Sequence, residues 1–136
     1  MLLHFSFILI ILLKIASVFS EVSNGLHFLN EESFLTKISE GDYFVKFFSP
    51  SDTHSKKLTP IWKQLAQKYE KSENVKIAEF DCSVAGSFCK DIGIKGFPAL
   101  IYHRNGNLLN IHKGSKDLKS LEDFVESMLN DGKDEF

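Results

Sequence analysis

Asp52, Thr53, His54 and Ser55 stand between an aromatic run that ends at Phe48 and a stretch with helical periodicity. A carboxylate at Asp52 suits a helix start, where unpaired N–H groups and the helix dipole favour negative charge, so Asp52 reads first as a capping residue. A metal centre built on Asp52 and His54 needs further ligands, and the sequence locates none. Without such ligands His54 is an exposed histidine on a helix surface. The chain's two cysteines, Cys82 and Cys89, have six residues between them, one at a strand end and one within the following helix. They lack the CxxC spacing and the helix-start setting that activate a thiol. Thiol–disulfide exchange needs a thiolate to attack sulfur and a second thiol to resolve the mixed disulfide, and Asp52 and Ser55 supply neither. Lys46 lies in an otherwise apolar strand, where it is expected to snorkel, with its stem buried and its ammonium in water.

The elements that must position these residues follow from periodicity. Residues 31–40 place Phe34, Leu35 and Ile38 at helical spacing after Asn30 as N-cap, and Gly41-Asp42 ends that helix. Residues 43–49 are apolar on both alternating faces apart from Lys46, as in a central strand covered on both sides. The helix after Asp52 carries Leu58, Ile61, Trp62, Leu65 and Tyr69 on one stripe, with Pro60 expected to kink it. Residues 75–81 read as a second core strand, 83–92 as a short helix and 99–103 as a strand leading into Asn105-Gly106, a hairpin signal. Residues 108–112 return as an edge strand. Residues 117–129 close the domain with Leu118, Leu121, Phe124, Val125 and Met128 on one face.

Residues 2–13 are almost wholly apolar, and Val18-Phe19-Ser20 before Glu21 suits signal-peptidase cleavage. An apolar run of about a dozen residues falls short of the roughly 20 that span a bilayer. Residues 1–20 are therefore expected to be a cleaved signal peptide, with a retained anchor as the competing reading, and no membrane insertion follows cleavage. Residues 21–136 have the length of one domain, expected to span 21–129 and to be followed by a tail over 130–136. Cleavage removes only Lys14 among the charged residues, shifting the net charge from −2 to −3. That balance is no nucleic-acid signature, and no nucleic-acid partner is expected.

Four blocks recur here in the order and spacing of one family. They are Tyr43-Phe44-Val45-Lys46-Phe47-Phe48-Ser49-Pro50 with His54 to Trp62; Val75 to Cys82 with Cys89; Gly93-Ile94-Lys95-Gly96-Phe97-Pro98; and Lys133-Asp134-Glu135-Phe136. The chain resembles thioredoxin domains of the protein disulfide isomerase family, most closely the thioredoxin domain-containing protein 5 branch. The resemblance implies an α/β thioredoxin-like fold, a central mixed β-sheet flanked by helices, and no cofactor. It also implies that Asp52 and Ser55 fill the two catalytic cysteine places, with Thr53 and His54 between them and Ser51 in the place of a tryptophan. Lys46 then stands where many members carry a proton-relaying glutamate, and Lys116 where catalytic members carry an arginine that tunes the second cysteine.

Further implications concern the remaining residues. Cys82 and Cys89 resemble a non-catalytic pair, whose disulfide would close an eight-residue loop and contribute about 2.5 kcal/mol. A redox role for this pair is the alternative. Pro98 matches a cis-proline, and Phe48, Ile94, Phe97 and Pro98 would form an apolar patch for extended polypeptides. Lys133 to Phe136 resembles a Lys-Asp-Glu-Leu signal read by a retrieval receptor, which implies the endoplasmic reticulum lumen, with secretion as the alternative. The function implied is a redox-inactive family member that assists folding by binding client or partner polypeptides. The alternatives are a weak disulfide oxidoreductase using Cys82 and Cys89, and a non-catalytic scaffold.

Overall fold

Strand β3 (Asp42–Phe48) is the axis of the molecule in the computed structural model, which describes residues 21–133. The expected signal peptide, residues 1–20, and Asp134, Glu135 and Phe136 lie outside the described residues. Around β3 are β1 (Val22–Ser23), β2 (Leu26–Leu29), β4 (Lys76–Asp81), β5 (Ala99–Arg104) and β6 (Asn107–Ile111), in the order β1-β2-β4-β3-β5-β6. The β2–β4 and β3–β4 pairs are parallel and the others antiparallel, so the sheet is mixed.

Helices α2 (Thr53–Lys68) and α4 (Leu118–Asp131) cover one face; α1 (Phe34–Ile38) and α3 (Gly86–Asp91) cover the other. Because side chains alternate along a strand, Phe44 packs with Leu58, Trp62 and Leu121, while Val45 and Phe47 pack with Phe34 and Ile38. Coverage on both sides explains why β3 reads as a nearly continuous apolar run. Trp62 satisfies its buried indole N–H by donating to the Ala78 carbonyl at 3.0 Å. Asp42 accepts from Tyr102 Oη at 2.6 Å and from Arg104 at 2.8 and 2.9 Å, and Arg104 also donates to the Met128 carbonyl, tying α4 to the sheet.

Several expectations need correction. Strands β1 and β2 escape a pattern search because they are two and four residues long. Their hairpin turn, Asn24-Gly25, repeats the signal at Asn105-Gly106, and all four residues have positive φ. A Cβ at Gly25 would lie 2.4 Å from the Ala66 carbonyl oxygen, so glycine is needed for space as well as for φ. The helix expected over 31–40 is only Phe34–Ile38. Phe34 and Ile38, four apart, face the sheet, which turns Leu35 out to solvent. Asn30 still shapes the entry, its side chain accepting from Ser33 N–H at 2.8 Å. Helix α3 is shorter than 83–92, and α2 runs through Pro60 as one element. Helix α4 runs two residues past 129, so Asn130 and Asp131 belong to its last turn rather than to the tail. Among the described residues no helix is long and apolar enough to cross a membrane.

Candidate functional site

The chain leaves the sheet at Phe48 and turns through Ser49 to Ser51 into α2. Asp52 is the N-cap, with extended backbone (φ −76°, ψ 130°), and its Oδ2 accepts the Ser55 N–H at 2.8 Å. A second bond holds the turn from inside, because Ser49 N–H donates to Ser55 Oγ at 3.4 Å. Ser55 is buried, whereas Thr53 and His54 are exposed. The carboxylate at position 52 is thus engaged by the helix start, and the hydroxyl at position 55 is sealed beneath it. This arrangement orders a strand-to-helix turn and places no thiol at position 52 or 55.

Beneath the turn, Lys46 does not snorkel. It is 1% exposed, its Nζ lies 3.1 Å from Glu79 Oε2, and it sits 4.7 Å from the centroid of the Phe48 ring. The cause is its place in the sheet: Glu79 on β4 and Leu100 on β5 flank it in register, and its side chain is 2% exposed. Glu79 is a site residue that sequence reasoning missed. Its signal was a charge inside each of two core strands, Lys46 in β3 and Glu79 in β4, away from the charged residues at the strand ends.

Cys82, at the end of β4, and Cys89, in α3, are joined, with Cα atoms 5.9 Å apart. Both are buried among the aromatic residues of the α1/α3 face, and Cys82 N–H donates to the Phe48 carbonyl at 2.8 Å. Cys82 is 4% and Cys89 2% exposed. Replacing both cysteines with alanine should lower unfolding stability by about 2.5 kcal/mol, the loop-closure value for this ring. Urea denaturation of the oxidised parent and the double variant measures this, and equal midpoints would refute it.

The Phe97-Pro98 peptide bond is cis. Phe47 pairs with Ala99, so Phe48 and Pro98 both lie just beyond the last β3–β5 pair, at the same end of the sheet as Asp52. Phe97 is 38% exposed, and Phe48 and Pro98 are half-buried. Ile94 does not belong to this surface. It is only 9% exposed and packs in the core with the disulfide, because its N–H is drawn in to the Cys89 carbonyl at 2.9 Å. Lys116 is exposed and, with His54, lines a groove along α2. The resemblance placed both near position 55; the groove they share lies along α2. Lys133 is exposed past the end of α4.

A mixed sheet between two helix layers, with a capped helix leaving the end of its central strand beside a cis-proline, defines a thioredoxin-like α/β protein. The thioredoxin family profile matches residues 25–127. The chain is 37% identical over 101 residues to the thioredoxin domain-containing protein 5 homolog of Drosophila melanogaster, covering 74% of this chain and 24% of that protein. It is 33% identical over 120 residues to protein disulfide-isomerase 5-1 of Arabidopsis thaliana, covering 87% of this chain and 80% of that protein. Among solved structures, the J-Trx1 fragment of ERdj5 superposes with a TM-score of 0.72 at 23% identity, over 78% of this chain and 52% of that one. Zinc-bound human ERp44 superposes at 0.71 and 22% identity, over 76% and 31%. These structural likenesses show the fold. The chain belongs to the thioredoxin family, as a thioredoxin domain of the protein disulfide isomerase family.

Proposed function

We propose that this chain is a domain of the endoplasmic reticulum lumen that binds client or partner polypeptides without catalysing thiol exchange. One observation carries the reading. The strand-to-helix turn is kept in full, but its two reactive places hold a capping carboxylate and a buried hydroxyl, while the chain's only sulfur pair is bonded inside the core. An oxidoreductase working through Cys82 and Cys89 is disfavoured by that burial. The lumenal residence is supported by the family's disulfide isomerases and by the Lys133 to Phe136 tail, with residues 1–20 as the leader. A retrieval receptor of the Lys-Asp-Glu-Leu type is the partner this tail would meet. Exposed Phe97, with half-buried Phe48 and Pro98, supplies apolar surface for extended clients.

The protein should leave insulin reduction and scrambled-ribonuclease refolding at background. The double substitution Asp52→Cys with Ser55→Cys should raise both, because the first thiol would inherit the helix-start position that lowers a thiol pKa. Turnover in the parent comparable with that of a CxxC relative would refute redox silence. Phe97→Glu should weaken suppression of client aggregation while leaving the melting temperature unchanged. An unaltered chaperone assay would overturn client binding at this surface and favour the scaffold reading.

A further inference from the structure

Helix α2 contains no carboxylate between Thr53 and Lys68, and its charged and titratable residues are His54, Lys56, Lys57, Lys63 and Lys68. The segment 112–116 before α4 adds Lys113 and Lys116 and again no acid. In a chain of net charge −2 this concentrates cations along α2 and the segment that leads into α4. Here His54, Lys57, Leu58, Ile61 and Lys116 enclose a groove of about 190 Å³. Buried Leu58 and half-buried Ile61 form an apolar floor, and the three basic residues form its rim.

The rim cations are unspent. Lys68 pairs with Glu122 and Lys119 with Asp123, but among the described residues neither Lys57 nor Lys116 has a carboxylate within ion-pair distance. The acid adjacent in sequence, Asp117, is engaged as the α4 N-cap, accepting the Ser120 N–H at 2.9 Å and the Ser115 hydroxyl. The groove is smaller than the roughly 300–1,000 Å³ typical of small-molecule sites, so its size suits a single side chain of a longer ligand. Its lining has no Phe, Tyr or Trp on which bases would stack.

We infer that this groove binds an acidic peptide segment, seating one apolar side chain on Leu58 and Ile61 between carboxylates held by Lys57 and Lys116. The inference rests on the polypeptide-binding reading above and adds a second site, whose residues are separate from Phe97.

The test is fluorescence anisotropy of the full chain with a labelled synthetic peptide carrying one phenylalanine among aspartates and glutamates. Matched peptides replace the acids with lysine or the phenylalanine with serine. The acidic phenylalanine peptide should bind in preference to both and should weaken as ionic strength rises from ~0.05 to ~0.5 M. Lys57→Glu with Lys116→Glu should weaken it by at least ~10-fold, whereas Lys71→Glu with Lys90→Glu, which changes net charge equally, should not. Equal weakening in the two double variants would overturn the site. So would an oligonucleotide or an anionic vesicle that binds more tightly than the peptide through the same two lysines. Phe97→Glu should leave peptide binding intact. Aggregation suppression without any peptide binding would sink the groove and spare the function proposed above.

Discussion

Glu79→Ala should cost the fold ~3–5 kcal/mol, because it strands the Lys46 ammonium in a place that water does not reach. The Lys46 side chain is 2% exposed and that of Glu79 17%, which makes the pair asymmetric. Removing the lysine instead, with Lys46→Met, leaves the Glu79 carboxylate, whose side chain keeps 17% exposure, so the loss should be smaller. Lys46→Met combined with Glu79→Leu should return to within ~2 kcal/mol of the parent, since an apolar pair of similar volume escapes the desolvation of two ions. Urea titrations of these variants, with the single Glu79→Leu added to close the double-mutant cycle, measure the pair. A Glu79→Ala variant as stable as the parent would show that Lys46 finds water after all.

Acid should destabilise the protein through His103. This histidine is 7% exposed, both ring nitrogens lack a hydrogen-bond partner, and it packs edge-on to Phe34 and Phe47 at 5.7 and 6.3 Å. Burial alone depresses its pKa from 6.5 to about 4. The unfolded chain therefore binds the proton before the folded one does. Stability is complete above the unfolded pKa and falls as pH drops from 6.5 toward 4, by about 3 kcal/mol in all. Half-buried His27 acts in the same direction, its pKa lowered by desolvation and then by Lys76 and Lys37, so a bare pH profile mixes the two. His103→Leu separates them. It should match or exceed the parent at pH 7 and lose markedly less stability on acidification. A variant with the same acid loss as the parent would refute the assignment.

These effects also mark where sequence patterns stop. The helix starts at Asp52 and Asp117, the Asn105-Gly106 hairpin, the apolar stripe of α2 and the want of a thiol at positions 52 and 55 were legible directly, because caps, turns and amphipathic stripes depend on residues a few positions apart. Periodicity also marked β3 and β4 as core strands. It did not say what stands beside Lys46. Only the β3–β4 register brings Glu79 there, and only the helix cover removes the water that a snorkelling lysine needs. Leu35 and Ile94 illustrate the same limit: periodicity put Leu35 on the packed face and the resemblance put Ile94 on a surface patch, whereas the tertiary contacts turned the first to solvent and drew the second into the core. The basic groove is a further case, since His54 and Lys116 look like separate solvated residues until α2 and the segment before α4 are packed side by side. Local geometry follows from neighbours along the chain, whereas burial and charge pairing follow from neighbours across it, and those are assigned only when the sheet and its helices close.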